Sequence, residues 1–180
     1  GDEFITTPRT FIATSSARVL LGARPIFADV DIDSGLLTAE TIEPKITNNT
    51  KAISIVHLAG WPAEMDKICD LAKTYKLNIV EDCSQAHGAY IITKGCKKYV
   101  GTFGDVATWS FCQDKIMSTA GEGGMISTNN KDLWDYIWSL KDHGKSWDIV
   151  NNKNDSQGFK WLHNNFGSNY RLTEFQSAIG

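Results

Sequence analysis

"KAISIVHLAGWPAEMDKICDLAKTYKLNIVEDC", residues 51–83, carries the pattern that decides the fold. Its first part, KAISIVHL, is rich in β-branched residues and reads as a strand. EMDKICDLAKTYK then places Met65, Ile68, Leu71, Ala72 and Tyr75 at helical spacing. LNIVEDC returns to an apolar strand. Apolar strands separated by amphipathic helices predict a parallel sheet with right-handed crossovers.

The same alternation runs back towards residue 1. EFITT (3–7) reads as a strand. TFIATSSARVLLG reads as a helix with Phe11, Ile12, Val19 and Leu20 as its apolar stripe and Gly22 as its stop. PIFADV is a strand ending in Asp29 and Asp31, and Thr38 can cap AETIEPKI. The expectation is an α/β fold, a mostly parallel sheet with helices on both faces. Ligands of such sheets gather beyond the carboxyl ends of the strands. That rule selects Asp29, His57, Asp82 and the stretch after Val106.

Past residue 88 the texture changes. AYIITKGCKKYV reads as a hairpin turning at Lys94-Gly95. VATWSF and GMISTN are strands flanking a glycine cluster. KDLWDYIWSLKDHG is a helix with Leu133, Ile137 and Leu140 on one side, closed by His143 and Gly144. Residues 145–168 have no clean period and read as a loop. LTEFQSAIG begins a helix capped by Thr173. Trp134, Trp138, Trp147 and Trp161 are expected to fill core or line an interface.

The 180 residues are 42% hydrophobic and 22% charged, with a net charge of −3. That composition suits a globular protein with a sizeable core. No apolar run approaches the roughly 20 residues of a membrane span, and no signal-peptide pattern opens the chain. The acidic balance gives no support for nucleic-acid binding. Cys69, Cys83, Cys96 and Cys112 lack metal or redox spacing and read as small buried hydrophobes in a reducing cytoplasm. The chain opens straight into a strand and closes inside a helix, which reads as a piece of something longer.

Asp82 ends an apolar strand, where a carboxylate needs a partner. It could simply cap the turn CSQAHG, or it could be held for a ligand. Gln85 would face the same pocket one helical turn on. His87 reads as a satisfied structural histidine. Lys115 lies between an aromatic run and GEGG (121–124), with Ser110 five residues before it. A hydroxyl and exposed backbone N–H groups of the glycine cluster suit a phosphate. Taken together, these residues match pyridoxal phosphate. Its aldehyde needs a lysine for a Schiff base, and its ring nitrogen needs a carboxylate to stay protonated. Gln85 could bond the phenolic oxygen, and Phe11 could stack on the ring.

GDEFITTPRTFIAT, VHLAGWPAEMD, VEDCSQAHGA, GDVATWSF…K…GEGGMI and NYRLTEFQSAIG occur in an order that resembles the DegT/DnrJ/EryC1/StrS family. That family comprises pyridoxal-phosphate-dependent nucleotide-sugar aminotransferases of fold type I. The resemblance implies that Lys115 forms the Schiff base, Asp82 partners the ring nitrogen and Gln85 contacts the ring hydroxyl. It implies that Ser110 binds the phosphate and Phe11 stacks on the ring. Asn169 resembles the family's asparagine that reaches the phosphate of the neighbouring subunit's cofactor, and Arg171 is a weaker candidate for that neighbourhood. It further implies a homodimer with shared active sites, a nucleotide-linked keto-sugar as substrate and an amino acid, glutamate foremost, as donor. Residues 1–180 correspond to the central part of the large domain. The family's N-terminal segment, with a Gly-Thr turn on the phosphate, and its small C-terminal domain have no counterpart in these residues. A dehydratase or a non-catalytic relative of the same family is one rival, although some such dehydratases replace the lysine with histidine. A nucleotide-binding module is another, weakened by the absence of G-x-G-x-x-G and of a P-loop.

Overall fold

A computed structural model describes residues 1–151 and 162–180. The strands are β1 (Glu3–Thr6), β2 (Arg24–Phe27), β3 (Thr50–Val56), β4 (Asn78–Asp82), β5 (Tyr90–Thr93), β6 (Cys96–Tyr99), β7 (Val106–Ser110) and β8 (Gly124–Ser127). The helices are α1 (Ala13–Val19), α2 (Ala39–Ile42), α3 (Met65–Tyr75), α4 (Lys131–Lys141), α5 (Trp147–Asn151) and α6 (Glu174–Ile179). Six strands form one sheet in the order β2-β1-β3-β4-β7-β8, and β5 and β6 form a separate hairpin. Within the six-stranded sheet the first five strands in that order pair in parallel, and β8 runs antiparallel to β7. The expected mostly parallel α/β sheet is present.

The pleat sorts the residues. Ile5, Ile53 and Ile79 share a row and pack against Ile42 of α2 and Met65, Ile68, Leu71 and Ala72 of α3. This is the main core, and the helical stripe of α3 buries as expected, except that Tyr75 stays partly exposed and donates to Glu43. The opposite face carries Phe4, Thr6 and Ser54 and is covered by α1, whose Arg18 guanidinium lies 5.4 Å from the Phe4 ring centroid. Helices therefore lie on both faces.

Several local expectations hold. Thr38 caps α2 in a reciprocal box with Thr41. Lys94 and Gly95 both take positive φ at the hairpin turn, and His143 and Gly144 do so after α4. Thr173 accepts from the Gln176 amide at the start of α6. Others fail. The apolar residues of α1 point outward: Phe11, Ile12, Val19 and Leu20 are exposed, and Thr14 and Ser15 are buried instead. The sheet is met by the polar side of this helix, where Thr14 bonds to Asp82. The stripe of α4 is at most half-buried, with Leu140 exposed. Residues 145–168 hold the helix α5 and a bridge from Lys145 to His163, so the part described is not featureless; residues 152–161, including Trp161, lie outside the described residues. Trp147 stands edge-on to both Trp134 and Trp138 at 5.3 and 5.2 Å. Of the cysteines only Cys83 is fully buried, while Cys96, on the hairpin, is exposed.

Candidate active site

Beyond the carboxyl ends of β3, β4 and β7 lies a cavity of about 670 Å³, a size that suits a small-molecule ligand. Phe11, Asp82, Gln85, Ser110 and Lys115 all line it. They come from four separate segments: the start of α1, the end of β4 with its following turn, the end of β7, and the loop leading to β8. His57 lines it too, but Asp29 does not: its side chain accepts from the Val30 amide and stays within its own loop.

Asp82 is the most heavily bonded of these groups. Its Oδ1 accepts from the Ser84 amide at 3.1 Å and the Ser84 hydroxyl at 2.6 Å. Its Oδ2 accepts from the Thr14 hydroxyl at 2.7 Å. The capping role is filled by Oδ1, while Oδ2 is held by Thr14 and faces the cavity. Gln85 Oε1 accepts from the Ala59 amide at 2.8 Å, which turns its NH₂ group away as the end left for a ligand. The Lys115 side chain is only 19% exposed and its Nζ lies 3.5 Å from Asp114. Ser110 Oγ accepts from the Cys112 amide, leaving its proton to donate.

Two expectations change. His87 is not satisfied: both ring nitrogens are buried without a hydrogen-bond partner, and the ring sits between Trp109 and Phe111. The glycine cluster is not a cradle, since none of Gly121, Gly123 and Gly124 lines the cavity. A Cβ on Gly123 would fall 2.4 Å from Thr119 Oγ1, and one on Gly124 would fall 2.8 Å from the Trp109 carbonyl. Gly124 runs tightly against β7 and Gly123 against Thr119, whereas Gly121 has open space around it and takes a φ of +143°. Asn169, expected to serve a neighbouring subunit, lies outside this cavity on the surface, bridged to Asp142, and Arg171 donates to Asp142 at 2.7 Å.

The sequence reading missed Thr14, Ser84 and Glu122. Thr10 lies in the bend before α1 and Thr14 in its first turn, and their hydroxyls meet at 2.9 Å. Glu122 lines the cavity and its Oε1 accepts from the Cys112 thiol at 3.4 Å. Behind the cavity, Glu81 is fully buried. Burial pushes its carboxyl up, but the His57 hydrogen bond and the Gly104 and Gly101 amides outweigh burial and hold it below the ordinary value. His57, Glu81 and Cys83 bring ligand-type atoms within 4.8 Å of one another. Both His57 nitrogens are already engaged, one by Glu81 and one by the Ala63 amide, and burial first, then Glu81 and Asp82, push the Cys83 thiol up. The trio is a packed cluster rather than an open metal site.

The match to known proteins runs the length of the chain. The family model described as "DegT/DnrJ/EryC1/StrS aminotransferase family" matches residues 1–180. GDP-perosamine synthase of Escherichia coli O157:H7 is 43% identical over 180 residues, covering 100% of this chain and 45% of that protein. The solved aminotransferase from Psychrobacter cryohalolentis is 50% identical with a TM-score of 0.93, covering 99% of this chain and 44% of that one. NtdA from Bacillus subtilis, solved with bound cofactor PMP, is 33% identical with a TM-score of 0.82, covering 99% of this chain and 37% of that one. The chain thus spans about 45% of the length of the curated relatives it matches. A mostly parallel sheet, a cavity at its carboxyl edge and full-length similarity agree: the chain belongs to the DegT/DnrJ/EryC1/StrS aminotransferase family.

Proposed function

We propose that this chain is the central part of the cofactor-binding large domain of a pyridoxal-phosphate-dependent aminotransferase acting on a nucleotide-linked keto-sugar, with an amino acid such as glutamate as donor. One observation carries the reading: Phe11, Asp82, Gln85, Ser110 and Lys115 converge on a single cavity from distant parts of the chain. The donor set fits the cofactor. Asp82 keeps an acceptor position on Oδ2 for a ring N–H, and Gln85 presents only donors, which suits a phenolate oxygen. Named relatives such as GDP-perosamine synthase support the nucleotide-sugar class.

When bound, pyridoxal phosphate supplies an aldehyde carbon and an electron-withdrawing ring. The protein holds and orients that ring. Lys115 Nζ would hold the cofactor's aldehyde carbon, and its free amine would serve as the base that moves the proton of the donor's α-carbon. Asp82 keeps the ring nitrogen protonated. Ser110 donates to the phosphate, and Phe11 covers one ring face. We assign Asn169 to the phosphate of a second subunit. Its place on the surface, outside its own cavity, suits that role, and the exposed Phe11 and Ile12 at the cavity rim suit a homodimer with shared sites. We place the enzyme in the cytoplasm, in keeping with four unpaired cysteines; among the described residues no helix is long and apolar enough to cross a membrane.

The test uses the full-length protein. Borohydride reduction in the presence of pyridoxal phosphate is expected to fix the cofactor on Lys115 alone. Lys115→Ala is expected to abolish both the cofactor absorbance and transamination from glutamate to a panel of nucleotide keto-sugars. Label on another lysine, or activity surviving in the variant, overturns the assignment.

A further inference from the structure

The hydrogen bonds on Asp82 are unequal, and the inequality selects an oxygen. A carboxylate oxygen offers about two acceptor positions. Oδ1 is filled by the amide and hydroxyl of Ser84. Oδ2 has one protein donor, the Thr14 hydroxyl at 2.7 Å. An ionised carboxylate only accepts, so the single Thr14 proton goes to Asp82, and Thr14 must in turn accept from Thr10 at 2.9 Å. The result is a directed chain from Thr10 through Thr14 to Oδ2, each bond polarising the next.

Thr14 is itself held in place. It is buried, with 5% exposure. Its amide donates to the Phe11 carbonyl at 3.1 Å, and the Arg18 guanidinium donates to its own carbonyl. One residue thus ties the carboxylate to the turn that carries Phe11.

We infer that Thr14 is a positioning residue, fixing Asp82 so that Oδ2 accepts the hydrogen bond of the protonated ring nitrogen; this rests on the pyridoxal-phosphate reading above. Without the Thr14 hydroxyl, the carboxylate pivots about its Ser84 contacts and loses its aim at the ring.

The experiment measures cofactor dissociation constants for the full-length protein, Thr14→Val and Thr14→Ser. Two probes are used: pyridoxal phosphate and its 1-deaza analogue, which carries C–H in place of the ring nitrogen. Thr14→Val is expected to weaken pyridoxal phosphate about tenfold, the scale of one charge-assisted hydrogen bond, and to change the analogue by less than about twofold. Thr14→Ser, which keeps the hydroxyl, is expected to restore binding. Equal losses for both probes, no loss for pyridoxal phosphate, or failure of Thr14→Ser to restore it overturns the role of Thr14 alone. A wild-type protein that binds neither probe overturns the cofactor reading and this inference with it.

Discussion

Glu81 and Asp82 are neighbours on β4, and the pleat turns them to opposite faces of the sheet. Glu81 is fully buried and accepts from His57 Nε2 and from the amides of Gly101, Phe103 and Gly104. Asp82 opens onto the cavity and keeps an acceptor position free. The saturated carboxylate holds together β3, β4 and the loop before β7. The unsaturated one is the acid proposed to meet the cofactor. Counting filled acceptor positions distinguishes the two where position on the strand cannot.

The largest effect should come from breaking the saturated side. Glu81→Ala leaves three backbone amides and His57 Nε2–H buried without an acceptor. Each such donor costs about 1–3 kcal/mol, so the variant is expected to lose on the order of 4 kcal/mol or more in urea unfolding. Asp82→Asn, of the same shape, is expected to stay within about 1 kcal/mol of wild type while turnover of the full-length enzyme falls about 10²-fold or more. If the two variants exchange phenotypes, the division of labour between the faces is wrong.

Acid sharpens the same contrast. The Glu81 carboxyl is held below its ordinary value of 4.5, with burial opposing and the His57 and backbone hydrogen bonds prevailing. A lowered carboxylate contributes stability that is complete above the unfolded value and is lost as pH falls through the folded one. Wild-type stability is therefore expected to decline below about pH 4.5, by up to about 1.4 kcal/mol per pH unit for this one proton. Glu81→Gln should start lower and lack that component of the slope. An unchanged slope in the variant would assign the acid sensitivity to other groups.

These contrasts also show how far residues alone could be read. Strand and helix order was legible from periodicity, because β3 and β4 are bounded by clear turns and α3 has one apolar stripe. The direction of α1 was not. Its apolar residues imply burial, yet its polar side meets the sheet, with Thr14 bonded to Asp82 across 68 residues of sequence. Five of the proposed cofactor residues were legible because their types match one chemistry, and all five line the cavity. Thr14 and Ser84 were not, since hydroxyl residues near turns are common and only the folded geometry aims them at Asp82. GEGG misled in the other direction: glycine signals close approach, but the sequence does not say whether the neighbour is a phosphate or the Trp109 carbonyl.

The smallest expected effect concerns the turn that joins the two sides. Ala59 sits in the left-handed region at φ 55°, and its amide orients Gln85. Glycine there would relieve roughly 1 kcal/mol of backbone cost but would gain about 0.4–1 kcal/mol of unfolded-state entropy. Ala59→Gly is therefore expected to change stability by less than about 0.5 kcal/mol. Whether cofactor affinity changes is the sharper question. The turn is also held by His57, whose Nδ1 accepts from the Ala63 amide while its Nε2 is anchored on Glu81. If that anchor fixes the turn, affinity in Ala59→Gly stays at the wild-type value. A loss of affinity at unchanged stability would mean that the alanine, and not the buried acid behind it, aims Gln85 at the cavity.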